Sequence, residues 1–168
     1  TAAQKESLRE RLAQVLRLPD YSVTPALGVE HKKARNLAVK LGPSTVPMTI
    51  LPGKNQGEVD LVLHERGRSA PPPMPLTSGY PRIHADIFGT GENQAHYLLK
   101  MMLDSTGHRS LGVMTAQIIA IAESIAQGSR VVNASAAGIQ PCVALCLAAA
   151  IAPQHFASVT AYDMPTTL

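Results

Sequence analysis

The strongest constraint on the fold is a short apolar strand that runs through a turn of small residues into an apolar helix. The strand is predicted over Arg130 to Ala134, the turn over Ser135 to Gly138, and the helix over Ile139 to Ala152. Pro141 falls in the first turn of this helix, where its missing N–H costs no hydrogen bond. Small side chains let a strand and its following helix pack closely, so the passage predicts one strand–turn–helix unit of an α/β sheet.

The rest of the chain also alternates between strands and helices or long crossovers. The predicted elements are a helix over Lys5 to Leu18, hairpin strands over Asn36 to Leu41 and Thr45 to Leu51, strands over Glu58 to His64 and Arg82 to Phe88, a helix over Leu111 to Gln127, and a last strand over Ala157 to Tyr162. Pro47, inside the second hairpin strand, indicates an edge position. The order predicts an α/β fold: a mostly parallel sheet of about six strands with an N-terminal hairpin and helices on both faces.

The length of 168 residues suits one domain with a core of its own. We expect residues 1–34 to form an N-terminal helix and an irregular lead-in, and residues 35–168 to form the α/β core. The chain opens on Thr1 and ends soon after the last predicted strand, so we expect it to be a fragment of a longer protein.

Charge and cysteine content exclude several classes of function. The net charge of +3 is spread along the chain, and the one basic cluster, from His31 to Arg35, is interpreted as a solvated loop and not as a nucleic-acid site. No apolar run reaches the roughly 18 residues that span a bilayer. Cys142 and Cys146 lie four apart on one predicted helix face, which favours neither a disulfide nor a metal site. We therefore expect no cofactor, no metal, no nucleic acid and no membrane; the compartment is not indicated.

The turn after the predicted strand presents a serine between small residues. Asn133-Ala134-Ser135-Ala136-Ala137 is similar in spacing to the G-x-S-x-G nucleophile elbow, with Asn133 and Ala137 in place of the two glycines. The helix N-terminus behind it would favour a developing oxyanion. Two alternatives stay open: Ser135 as an ordinary helix N-cap, and a degenerate dinucleotide loop, which here lacks both G-x-G-x-x-G and the later acidic residue.

Several other segments follow one another as they do in one known family. They are Thr45 to Pro52 (T-V-P-M-T-I-L-P), Val59 to Gly67, Ala85 to Glu92 (A-D-I-F-G-T-G-E), Gly107 to Gly112 and Phe156 to Val159. Their order resembles the α/β-hydrolase superfamily, especially acetyl xylan esterase and dienelactone hydrolase-like serine esterases, over residues 36–163. The resemblance implies an incomplete α/β-hydrolase fold, truncated after the strand that follows the elbow helix.

The resemblance also implies a set of site residues. Ser135 would be the nucleophile, the backbone N–H of Ala136 one oxyanion donor, and the backbone of Glu65 or Arg66 the second. Asp163, at the carboxyl end of the last strand, is a candidate triad acid.

The histidines do not complete this set. His155 precedes the last strand, whose six residues rise roughly 20 Å, so we expect it at the opposite edge from Ser135. His64 and His84 lie on earlier strands and are interpreted as packed strand residues, although His64 could also line the pocket near the oxyanion loop. The catalytic histidine would lie beyond this chain.

Three functions remain open at this point. The first is a serine carboxylesterase that cleaves small esters, such as carbohydrate acetyl esters, through an acyl-enzyme; these 168 residues alone would then be inactive. The second is an inactive α/β-hydrolase-fold module for binding or assembly, and the third is a nucleotide-dependent enzyme. In each case we expect the last strand to be covered by the rest of the same domain or by a second copy.

Overall fold

A computed structural model describes residues 2–21, 23–25, 29–31, 34–41, 44–55, 57–71, 79–93, 97–126 and 131–162 of the protein. The helices are α1 (Ala2–Leu16), α2 (Tyr97–Ser105), α3 (Ser110–Ala126) and α4 (Ile139–Ile151). The strands are β1 (Val23–Pro25), β2 (Val29–His31), β3 (Ala34–Leu41), β4 (Ser44–Leu51), β5 (Glu58–His64), β6 (Arg82–Ala85), β7 (Val131–Ala137) and β8 (Phe156–Tyr162). Short 3-10 turns cover Gly91–Asn93 and Pro153–His155.

All of these strands belong to one sheet, in the order β1-β3-β4-β6-β5-β7-β8, with β2 also on β3. The strands β6, β5, β7 and β8 are parallel, and β4 is antiparallel to both β3 and β6. Of the six strands β3 to β8, five therefore run in one direction and only β4 is reversed. This confirms the predicted mostly parallel sheet with an N-terminal hairpin, to which the three-residue strands β1 and β2 add.

The sheet has one apolar face and one polar face. Successive side chains of a strand point to opposite faces, and Val59, Leu61 and Leu63 of β5 join the buried core together with residues of α3 and α4. Asp60 and Val62 point the other way. The helices α1, α3 and α4 contact one another, so the described helices form one layer on the apolar face.

The polar face continues across the sheet. The strand registers align a row of side chains on it: Asn36, Thr49, His84, Val62, Ser135 and Thr160. Only Val62 in this row is apolar, although Val62, His84 and Ser135 are all buried. The candidate serine therefore lies on the face of the sheet that the described helices do not cover.

The prediction that Pro47 marks an edge strand is wrong, because β4 lies between β3 and β6. Pro47 is placed just past the end of β6, where its carbonyl accepts the N–H of Asp86 at 2.9 Å. Its missing N–H would have paired with the carbonyl of Asp86, and the side-chain amide of Asn93 donates to that carbonyl instead, at 3.2 Å. An interior strand thus tolerates proline because a side chain replaces the lost donor.

Other boundaries differ from the predictions in smaller ways. The predicted strand over residues 82–88 stops at Ala85, and the apolar patch around residues 98–103 forms the helix α2. Cys142 is buried and Cys146 exposed, and neither forms a disulfide in the described residues. In the described part of the chain, no helix is both long and apolar enough to cross a membrane.

Candidate functional site

The turn between β7 and α4 is shorter than predicted. Ser135, Ala136 and Ala137 belong to β7, where they pair with β5 on one side and with β8 on the other. Gly138 alone connects strand and helix, with φ 95° and ψ 154°. The predicted turn over Ser135 to Gly138 is therefore wrong, because sheet pairing on both sides extends the strand by three residues.

The side chain of Glu65 fills the space above Gly138. A Cβ at position 138 would lie 2.5 Å from both the Cβ and the Oε2 of Glu65. The backbone N–H of Glu65 also donates to the carbonyl of Ala137 at 2.9 Å. The loop that follows β5 is thus fastened onto the strand–helix turn, and the position at the tip of that turn has neither a side chain nor room for one.

Ser135 lies three residues before this turn and is 8% exposed. In the sheet its neighbours are Val62 on β5 and Thr160 on β8. His84 is in the same row but two strands away, a separation of about 10 Å between backbones. A nucleophile and its base must approach to about 3 Å, so the structure does not pair Ser135 with His84.

Two of the three predicted oxyanion donors already have hydrogen-bond partners. The N–H of Glu65 is bound to Ala137, and the N–H of Arg66 donates to Nδ1 of His64 at 3.0 Å. Ala136 lies inside β7, between Leu63 and Ala161. In this arrangement the three positions stabilise the turn and the sheet.

The remaining candidate residues are spread apart. Asp163 lies outside the described residues. His155 ends a 3-10 turn just before β8, at the opposite end of the strands from Gly138, as expected. His64 terminates β5 and caps the backbone of Arg66, which agrees with a packed strand-end histidine.

A buried carboxylate ties the loops after β5 and β6 together. Asp86 is 1% exposed and accepts the backbone N–H groups of Arg68 and Glu92. The Arg68 guanidinium lies 3.7 Å from Asp86 and 2.8 Å from Glu92. Gly67 and Gly91 lie so close together beside this group that a Cβ on Gly67 would clash with the Cα of Gly91. The segment from Asp86 to Glu92 is therefore a structural clamp that holds the loops after β5 and β6 together.

Near the amino ends of the strands, polar side chains on the same face pair with one another. The amide of Asn133 donates to Glu58 at 2.7 Å and accepts from the hydroxyl of Ser158 at 2.8 Å. The charge of Glu58 raises the pKa of Tyr80, with contributions from burial, a hydrogen bond and Asp60. These contacts link the amino ends of β5, β7 and β8 through their side chains.

His84 is a buried titratable group on this face. Burial lowers its pKa, the charge of Arg82 lowers it further, and Asp86 acts in the opposite direction. Among the described residues its Nε2 has no hydrogen-bond partner. No group of three or more His, Cys, Asp or Glu side chains in the described ranges could hold a metal ion.

Sequence reasoning missed the contact between Glu65 and Gly138. One signal could have placed the turn correctly: Gly138 directly precedes a helix whose third residue is Pro141. Small residues such as Ala136 and Ala137 are as compatible with a buried strand as with a turn, and only the pairing partners decide between the two.

No family model and no curated protein matches this sequence. Solved structures do match. A Bacteroides fragilis protein assigned as an acetyl xylan esterase is similar with a TM-score of 0.62 and 13% identity, over 86% of this chain and 49% of that one. Acetyl xylan esterase 1 of Thermoanaerobacterium is similar with a TM-score of 0.58 and 13% sequence identity, over 92% of this chain and 56% of that one. Dienelactone hydrolase of Anabaena variabilis is similar with a TM-score of 0.53 and 13% sequence identity, over 77% of this chain and 63% of that one.

These likenesses show the fold of the chain. The fold is that of the α/β hydrolases, which confirms the resemblance drawn from the sequence. The chain spans between 49% and 63% of the length of these three structures.

Proposed function

We propose that this domain is a catalytically inactive α/β-hydrolase-fold module that serves binding or assembly in the protein that contains it. The observation that carries the proposal is the strand–helix turn. Gly138 lies at the tip of this turn, and the Glu65 side chain occupies the space that a side chain at position 138 would need.

The surrounding groups support the same conclusion. An acyl-transfer site needs an accessible nucleophile, a base in hydrogen-bond reach, and N–H groups aimed at the oxyanion. Ser135 is buried within β7, and the N–H groups of Glu65 and Arg66 are bound to Ala137 and His64. The expected nucleophile is therefore buried, and two of the expected oxyanion donors are already hydrogen-bonded.

The second candidate is a carboxylic-ester hydrolase that acts through an acyl-enzyme on Ser135, with small esters such as carbohydrate acetyl esters as substrates. The likeness to two acetyl xylan esterase structures and a dienelactone hydrolase favours it. It requires Ser135 to reach the turn, so residues 135–137 would have to leave their pairing with β5 and β8. It also requires an acid and a base, and Asp163 is the acid candidate within this sequence.

Ester hydrolysis by the intact protein separates the two candidates. We would measure p-nitrophenyl acetate turnover by the wild type, by Ser135→Ala, and by Ser69→Ala as an exposed serine control. The inactive module predicts the same background rate for all three proteins. Turnover that Ser135→Ala abolishes and Ser69→Ala retains would establish the esterase and overturn the first proposal.

A further inference from the structure

A cavity lies on the helix-covered side of the sheet, away from Ser135. It is about 520 Å³ in volume, within the range of small-molecule sites. It is bordered by the loop after β6, by α2, and by the first turns of α3 and α4. The carboxyl ends of parallel strands, where this cavity lies, are the usual ligand-binding edge of α/β sheets.

The walls of the cavity are mostly apolar. The apolar lining residues are Phe88, Met101, Leu111, Met114, Ile139 and Val143. Met101 and Ile139 are each about half exposed, at 50% and 54%, so the apolar surface reaches the mouth. Burial of an apolar ligand body here would cover these side chains as well.

One corner of the cavity is polar and basic. The side chains of Lys100 and Gln140 meet above Gly89. A Cβ on Gly89 would lie 3.8 Å from the Nζ of Lys100 and 3.9 Å from the Oε1 of Gln140. Gly138, the N-cap of α4, supplies no side-chain cap to the first turn of that helix. An ammonium group and the positive end of a helix therefore share this corner, and both favour a negatively charged group.

Two further polar residues, Asp104 and Ser110, line the cavity. Asp104 lines it one helical turn after Lys100 and sets a negative charge on that part of the rim.

We propose that this cavity binds an organic carboxylate with an apolar chain, whose carboxylate meets Lys100 and whose chain lies along Phe88, Met114 and Val143. The site is on the opposite face of the sheet from Ser135, so it does not depend on whether Ser135 reacts. It adds a ligand class that neither candidate function requires.

The test is a calorimetric titration of the intact protein with sodium octanoate. Binding should saturate at one site, and Lys100→Met should weaken it by about tenfold or more, which corresponds to about 1.4 kcal/mol. Lys54→Met, an exposed lysine in the loop after β4, and Ser135→Ala should leave the affinity unchanged. 1-Octanol, which lacks the charge, should bind wild type and Lys100→Met alike.

A second pair of variants tests the apolar part of the site. Val143→Phe should fill the cavity and abolish octanoate binding, and Met101→Glu at the mouth should weaken it by repulsion without a change in the core. The unfolding temperature of each variant shows whether it folds. No octanoate binding by the wild type at millimolar concentration would overturn the proposal, as would binding that neither Lys100→Met nor Met101→Glu affects.

Discussion

The side chain of Glu65 occupies the space that a side chain at position 138 would fill. The two residues belong to different connections, the loop after β5 and the turn before α4, and the N–H of Glu65 anchors the first to β7 through Ala137. Gly138 has φ 95°, a backbone conformation that residues with a Cβ rarely adopt. The strand–helix turn of this fold thus has the Glu65 side chain packed over its tip.

Substitution of Gly138 should reveal both the backbone strain and the contact. Gly57 is the matched control, because it has φ 97° with nothing within 4 Å of its Cβ position. Gly57→Ala should lower the free energy of unfolding by about 1 kcal/mol through backbone strain alone. Gly138→Ala should cost about 1–3 kcal/mol more, because Glu65 must move.

Removal of Glu65 isolates the contact. In the Gly138→Ala background, Glu65→Gly should restore the part of the stability that exceeds the Gly57→Ala loss, as measured by urea unfolding. Equal losses for Gly138→Ala and Gly57→Ala, with no recovery in the double variant, would show that Glu65 does not fill the space above Gly138.

The free energy of unfolding should decrease as the pH becomes acidic, because the pKa of His84 is lowered in the folded protein. Its pKa lies below the ordinary value of 6.5 in the folded protein, so the unfolded chain takes up a proton first as the pH decreases. The free energy of unfolding should therefore decline as the pH falls below about 6.5, until the folded-state pKa is also passed. Thermal unfolding between pH 7.5 and pH 5 should show a shallower decline for His84→Gln than for the wild type.

The control for this pH dependence is His108→Gln, an exposed histidine in the connection between α2 and α3. It should keep the decline of the wild type. If His84→Gln declines as steeply as the wild type, another group causes the acid sensitivity.

Asp86 should matter more to stability than an exposed acidic residue. Asp86→Asn leaves one oxygen to accept the two N–H groups of Arg68 and Glu92, and it turns an amide N–H₂ toward a donor. The expected loss is about 1–3 kcal/mol in urea unfolding. The control Glu6→Gln removes an exposed ion pair with Arg9 and should lower the free energy of unfolding by about 0–1 kcal/mol. Similar losses of stability for Asp86→Asn and Glu6→Gln would show that Asp86 does not act as a clamp.

Sequence periodicity predicted most of the sheet because apolar residues alternate along β3 to β5 and the long helices have clear breaks. The strands β1 and β2 were missed, since three residues carry no period and their pairing with β3 is a tertiary contact. The helix α2 was missed for a similar reason: its apolar patch is too short to distinguish from a strand. The interior place of Pro47 in the sheet could not be predicted, because the side chain that replaces its missing donor belongs to Asn93, 46 positions away in the chain.

The candidate site was predictable only as a place in the fold. The passage around Ser135 correctly indicated a strand that leads into a helix, and the family resemblance indicated the fold. The residue at the tip of the turn could not be chosen, because Ser135, Ala136 and Ala137 suit a strand flanked on both sides as well as they suit a turn. The contact of Glu65 with Gly138 brings together residues that local sequence does not connect.

The most direct test of the account is the labelling of the intact protein with a fluorophosphonate, with the site mapped by mass spectrometry in the wild type and in Ser135→Ala. The account predicts that Ser135 stays unlabelled, because it is buried in β7 and His84, on the same face, lies two strands away. Stoichiometric label on Ser135 of the wild type, lost in Ser135→Ala, would contradict it and show that this serine is an activated nucleophile.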